Sequence, residues 1–253
     1  MHLIWHGTAS VEVVSEAGGR ILFDPFVPLP GSDVPVKLAD FDGFSEIFVT
    51  HGHIDHIVHL PQIAARNPDV RIHCTETPYR TLLKKGVPAK NLDLLRFGDV
   101  REMNGFRIRA LHGRHAVLPK ASRKRVLYAL RSPARRNLPF ILRAVLVCRE
   151  NDETVFYQIE ADGRTLSVMG SMNLRPDEQY PMGADLLVLP YNGWEDNLPP
   201  AVGIIERLQP KRVVLDHYDD TFPPLTMPLD LSPILDRFPE TVTALALNKK
   251  EDV

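Results

Sequence analysis

The chain has 253 residues, 44% of them hydrophobic and 25% charged, with a formal net charge of −2. This composition supports a sizeable core and excludes disordered and fibrous classes. Two cysteines, Cys74 and Cys148, both in apolar strand-like runs, argue against a disulfide framework and for a reducing compartment. The N-terminus MHLIWHGTASVEVV lacks a basic region followed by a long apolar stretch, and no window approaches the ~18 apolar residues of a membrane-spanning helix. A cytoplasmic location, with no transmembrane segment, is therefore expected.

In chain order, HLIWH, VEVVS and ILF read as a meander of antiparallel strands, with AGG as a hairpin turn. EIFVT (46–50) is an apolar strand, and IVHLPQIAARN after it has helical spacing, with Pro61 tolerable in a first turn. VRIHC is another strand, TPYRTLLKKG a short helix closed by Gly86, and LDLLRF and FRIRALH are two further strands. Strands are predicted again at RAVLVCR, TVFYQIEA and RTLSVMG. ADLLVLP, the helix PAVGIIERLQ and the strand RVVLDH then alternate in an α/β manner. The expected architecture is a single domain over 1–253, an α/β sandwich of two mixed sheets packed face to face with helices outside.

Between EIFVT and the helix, FVTHGHIDHIVHL places His51, His53, Asp55, His56 and His59 within nine residues. In an extended loop residues i and i+2 point the same way, so His51 and His53 can present both imidazoles to one ion, while Asp55 and His56 face a second point nearby. Imidazole with carboxylate suits zinc, with manganese or iron as alternatives, and two adjacent ions can activate a hydroxide and stabilise an oxyanion.

His51, His53, Asp55 and His56 reproduce the H-x-H-x-D-H signature of the metallo-β-lactamase superfamily, which this chain resembles over nearly its whole length. The resemblance implies a four-layer αββα sandwich with the metal site at one edge. GGRILFDPF resembles the early strand ending in aspartate, with Asp24 supporting the metal loop from behind; RALHGRH resembles the later strand ending in a histidine ligand; RVVLDHYD resembles the closing strand. By this resemblance His51, His53 and His112 serve one metal, and Asp55, His56 and His217 the other. WHGTAS and the direct passage from LDHYD to the C-terminus look most like the cytoplasmic lactonase-like branch of metal-dependent hydrolases. One position departs from the pattern: the expected Gly-Asp, whose aspartate bridges both metals, reads Gly170-Ser171 here.

Other candidates are weaker. His115 could replace His112, although the strand is expected to end at Leu111, which favours His112. His6, His115, Ser171, Tyr191 and Asn192 are candidates for the substrate side or for support of the ligands, and His59 for support alone. From His112 to Arg149 the chain carries ten Lys and Arg and no acidic residue. The stretch at about 115–140 is expected to pass over the cleft as a basic excursion, with an amphipathic helix in SRKRVLYALRS. A positive wall favours a small substrate bearing phosphate or carboxylate. Nucleic acid is not expected, because aromatics interleave poorly with the basic residues; a homo-oligomer and a membrane-surface role for the excursion stay open.

The expected activity is a metal-dependent hydrolase in which a metal-bound hydroxide, oriented by Asp55, attacks a phosphoester, lactone or related acyl centre. The rival is a non-catalytic metal- or anion-binding protein in which Ser171 marks a degenerate site.

Overall fold

The computed structural model describes residues 1–117, 123–191, 197–226 and 229–253, with only the backbone over 123–126. The first sheet is built from β1 (His2–Trp5), β2 (Val11–Val14), β3 (Arg20–Phe23), β4 (Glu46–Phe48), β5 (Arg71–Cys74) and β6 (Leu92–Leu94). The second takes β7 (Val100–Met103), β8 (Phe106–His112), β9 (Val155–Ala161), β10 (Arg164–Met169), β11 (Leu186–Pro190), β12 (Val213–Asp216) and β13 (Val242–Ala244). The last strand, β14 (Lys250–Asp252), returns to the first sheet. Strand order is β14-β1-β2-β3-β4-β5-β6 in one sheet and β13-β12-β11-β10-β9-β8-β7 in the other. Both sheets mix antiparallel and parallel pairs, the parallel ones running from β3 to β6 and from β10 to β13.

The inner faces of the two sheets meet in a dry layer that includes Leu3, Val13, Phe23, Phe48, Tyr157 and Val188. Phe23, Phe48 and Tyr157 pack ring on ring at 5.3 to 5.6 Å between centroids, and the Tyr157 hydroxyl donates to the Val49 carbonyl at 2.7 Å. Outside the first sheet lie α1 (Ile54–Ile57), α2 (Leu60–Arg66), α3 (Glu76–Lys84) and α5 (Leu138–Val145), while α4 (Arg123–Arg131) precedes α5 and contacts the turn at Pro133–Asn137. Outside the second lie α6 (Leu198–Leu208) and α7 (Ser232–Arg237). The expected four-layer αββα sandwich is thus the fold observed. No helix of the described residues is long and apolar enough to cross a membrane, and both cysteines are free and buried.

Local sequence explains the elements around the site. Pro61 sits in the first turn of α2, where its missing N–H costs nothing. Gly86, at φ +88°, closes α3 in the left-handed region. Two expectations fail. RAVLVCR is not a strand: its first three residues end α5, whose Ile141 and Ala144 are buried against the outer core, and the rest is turn and loop, with Cys148 buried in the same core, a change that a short apolar run conceals. Nor does the chain pass directly from LDHYD to its end, because α7, β13 and β14 follow, and β14 completes the first sheet beside β1.

The strands deliver the polar residues to one edge. Asp24 follows β3, the loop from Thr50 to His56 follows β4, His115 lies beyond β8, Ser171 beyond β10 and His217 directly after β12. Both sheets therefore present carboxyl ends of strands there, the place where open α/β sheets bind ligands.

His59 is structural. Its Nδ1 accepts the Val27 N–H at 3.1 Å, its ring packs on Phe26 at 5.1 Å, and burial pushes it down to about 4. Its folded-state pKa lies below the unfolded value, so the stability it confers is complete above about pH 6.5 and declines as pH falls from there towards 4. Between pH 7 and pH 5 this accounts for a loss on the order of 2 kcal/mol. Denaturant unfolding of the parent and of His59→Asn at both pH values is expected to give a shallower pH dependence in the variant by about that amount.

Candidate metal centre

The loop after β4 is held from below by one buried carboxylate. Asp24 Oδ1 accepts the Thr50 N–H at 2.8 Å, and Oδ2 accepts the Thr50 hydroxyl at 2.5 Å and the His56 Nδ1–H at 2.8 Å. The Thr50 hydroxyl oxygen in turn lies 3.1 Å from His51 Nδ1, so that nitrogen is assigned the proton. These bonds fix both tautomers and leave the Nε2 lone pairs of His51 and His56 for the cavity. Thr50 was not singled out by sequence; its only signal is its place between the strand and the first histidine.

Two clusters result. The ligand-capable atoms of His51, His53 and His115 lie within 4.8 Å of one another, as do those of Asp55, His56 and His217. His51 Nε2 faces His53 Nδ1 at 3.1 Å, and the His51 and His56 rings are 3.9 Å apart, so the clusters are neighbours. His217 follows β12 in the left-handed region at φ +60°. Its N–H donates to Thr8 O at 2.9 Å, and its Nε2 lies 3.1 Å from Asp55 Oδ2. Asp24 also has positive φ, at +42°. Such backbone in non-glycine residues persists where the surroundings enforce it, commonly at functional sites.

His112 is not in either cluster. Its Nε2 lies 2.9 Å from the Asp152 carbonyl and 3.3 Å from Arg175 Nη1, and its ring stacks on Phe97 at 3.8 Å. The strand stops short of the site, and the loop beyond it carries His115 there instead. Ser171 enables this: its hydroxyl oxygen accepts the Ala116 N–H at 3.0 Å, while Asn173 Nδ2 donates to the His115 carbonyl at 3.2 Å. The His115 Nδ1–H donates to Ala116 O at 2.7 Å, leaving Nε2 available. Gly170 is required beside it, since a Cβ there would meet Thr50 Cβ at 2.7 Å and Val155 O at 2.8 Å.

The remaining candidates separate clearly. His6 is engaged by Glu12 at 3.0 Å and Asn248 at 3.1 Å and does not line the cavity. Tyr191 is buried in the outer core of the second sheet rather than in the cavity wall. Asn192 lies outside the described residues.

The electrostatics fit a cation. Burial and the neighbouring imidazoles push His51 well down and hold His53 at about 4, although Asp55 opposes this for His53; both rings are neutral, with lone pairs available, at neutral pH. Burial alone would raise Asp55, but His56 and the hydrogen bond with His217 bring it well below the usual carboxylate range. Burial likewise opposes a proton on His217, yet Asp55, Asp216 and Asp219 raise it to about 9. The second cluster thus demands a positive charge, which a metal ion can supply in place of that proton. Buried His217 Nδ1 has no hydrogen-bond partner among the described residues.

Both clusters floor one cavity of about 440 Å³. Its walls bring in Val145, Cys148, Glu150, Phe222 and Leu225, none of which sequence reasoning assigned to the site, together with Arg149 from the end of the basic segment. Burial raises the Cys148 thiol, so it stays protonated and acts as apolar wall. The positive wall expected from the excursion is reduced, among the described residues, to Arg149.

Residues 19–218 match the family described as Beta-lactamase superfamily domain. The chain belongs to that family, and both clusters fall within the matched region. A relative from Caldivirga maquilingensis, named as a metal-dependent hydrolase, is 27% identical over 227 residues, covering 88% of this chain and 83% of its own. One from Aeropyrum pernix with the same description is 45% identical over 58 residues, 22% of this chain and 23% of that one. The chain spans half or less of the length of the first curated relatives it matches. A structure from Veillonella parvula, described as a possible metal-dependent hydrolase, superposes with a TM-score of 0.66 at 14% identity over 100% of this chain and 99% of that one, and shares the fold.

The geometry separates two histidines that sequence could not. His115→Ala is expected to weaken metal binding by more than about 100-fold, beyond the range for outer partners, and His112→Ala to leave metal content unchanged, both read by elemental mass spectrometry after dialysis against a metal buffer.

Proposed function

We propose that this chain is a metal-dependent hydrolase of a small molecule, with His51, His53 and His115 holding one ion and Asp55, His56 and His217 a second. The observation that carries this reading is the pair of three-residue clusters side by side on the floor of a single cavity. Three imidazoles, and two imidazoles with a carboxylate, are donor sets suited to zinc, with manganese and iron also compatible. Bound there, such ions would supply Lewis acidity and a nucleophile competent at neutral pH.

The chain's own groups divide the remaining tasks. Asp55, kept ionised by His56 and His217, orients a water against the electrophilic carbonyl or phosphoryl centre. Arg149, a residue of the cavity wall, supplies a positive charge near one anionic or partly anionic oxygen of the substrate. Val145, Phe222 and Leu225 cover an apolar portion and exclude bulk water. Addition of water and departure of the leaving group as its conjugate acid complete the hydrolysis of an ester, lactone or phosphoester. One arginine among the described residues of a largely apolar wall favours a substrate with at most one or two negative charges over a polyanion. Ser171, engaged with the Ala116 N–H, supports His115 and does not act as a bridging ligand, so its presence in place of aspartate is compatible with two ions.

Metal content of untagged protein purified without chelator is expected to approach two ions per chain, with turnover of a chromogenic ester or phosphoester that chelation abolishes. At most one ion and no turnover would replace this reading with the non-catalytic binder. Ser171→Ala is expected to weaken one of the two ions by about 10–100-fold while leaving the other in place, measured by competitive chelator titration.

A further inference from the structure

The segment from His112 to Arg149, with ten basic and no acidic residues in a chain of net charge −2, has a second property that the site does not use. Its inner side is anchored. Asn137 Nδ2 donates to the carbonyls of Pro30 and Pro223 at 2.9 and 2.8 Å, and Ile141, Ala144 and Cys148 are buried. Its outer side is apolar. Leu142 and Leu146 are 66% and 70% exposed, Phe140 and Val147 near them in sequence are exposed, and so are Leu127 and Leu130 of α4, which meets α5 through the turn at Pro133–Asn137. A short helix with one charged residue, Arg143, and this much apolar side chain left exposed marks a surface that something covers.

The charges decide what covers it. Arg131, Arg135, Arg136 and Arg143 are exposed around the patch, with no carboxylate partner among the described residues. A two-fold dimer through this face would pair the patch with itself and set the arginines of one copy against those of the other. A surface of anionic lipid takes both components at once: apolar side chains enter the acyl boundary, and guanidinium groups on long stems reach back to phosphates.

We propose that the outer face of α4 and α5 docks on an anionic lipid bilayer, with α5 lying in the plane of the headgroup–acyl boundary. Val145 belongs both to this exposed face and to the wall of the 440 Å³ cavity, so the cavity mouth opens beside the docked surface. The proposal does not depend on the chemistry of the metal clusters, and metal content in the variants below reports on that separately.

The test is flotation of the full, metal-loaded chain with vesicles of equal parts phosphatidylglycerol and phosphatidylcholine, and with phosphatidylcholine alone. The chain is expected to float with the first, to be released by salt, and to stay largely behind with the second. Arg135→Glu with Arg136→Glu is expected to reduce partition by more than about tenfold, and Leu142→Ser with Leu146→Ser to abolish it, with metal content unchanged. Phe140→Trp is expected to show blue-shifted emission on anionic vesicles alone; it and the arginine pair carry the test if the serine pair fails to fold by circular dichroism. Failure to float, flotation equal on both vesicle types, or an emission of the Phe140→Trp variant that does not move on bound vesicles would each overturn the proposal. So would sedimentation showing a dimer that Leu142→Ser with Leu146→Ser converts to monomer.

Discussion

The arrangement of the site depends on the Asp24 carboxylate, which is buried and satisfied by three donors on the ligand loop, two from Thr50 and one from His56. An unpaired charge at that depth would cost several kcal/mol, so the loop can hardly adopt another course without losing all three bonds. The consequence reaches beyond stability. By taking the His56 Nδ1–H directly, and the His51 ring through Thr50, Asp24 decides which nitrogen of each ring faces the cavity. The two sheets then over-determine the loop: the Thr50 carbonyl accepts the Val155 N–H at 2.8 Å, and the Val49 carbonyl accepts the Tyr157 hydroxyl. The orientation of ligand atoms is therefore a property of the sandwich and not of the loop alone.

The two clusters are electrostatically unlike, and this follows from the strands that supply them. The first consists of three imidazoles, neutral at neutral pH because burial disfavours their charged forms. The second contains an ionised carboxylate and lies against Asp216 and Asp219, which with Asp55 hold a proton on His217. A cation entering the second cluster replaces a positive charge already present; one entering the first brings charge into a neutral environment beside it. The neutral donors of the first cluster would therefore depend more on geometry to hold a cation, the part that Ser171 and Asn173 provide.

Much of this was legible in the sequence because one motif concentrates it. The spacing of His51, His53, Asp55 and His56 on a strand-to-helix loop pointed to both the local geometry and the superfamily, and with it to Asp24 and His217, which do lie at strand ends beside the cluster. What failed had physical causes of a different kind. The choice between His112 and His115 rested on where a strand ends, the least certain feature of any sequence reading, whereas in the structure the Ala116 N–H beside His115 donates to Ser171, 55 positions further along the chain. RAVLVCR reads equally as strand or helix because a short, wholly apolar run carries no period. The cavity walls escaped notice because Phe222, Leu225 and Val145 are ordinary apolar residues whose position depends on tertiary packing, and Thr50 because a threonine after a strand is unremarkable until its partners are seen.

The excursion that forms one wall is not loosely attached to the metal loop. A Cβ at Gly52, between His51 and His53, would approach the Arg149 carbonyl to 2.0 Å, so the ligand loop and the end of the excursion meet backbone to backbone at a place only glycine permits. Arg149 and Glu150 line the cavity next to that contact, and Val145, one turn earlier, joins the wall to the exposed face of α5. The course of the chain at Arg149 and Glu150 is therefore set together with that of His51 and His53, so the wall and the floor of the cavity are placed by one backbone contact.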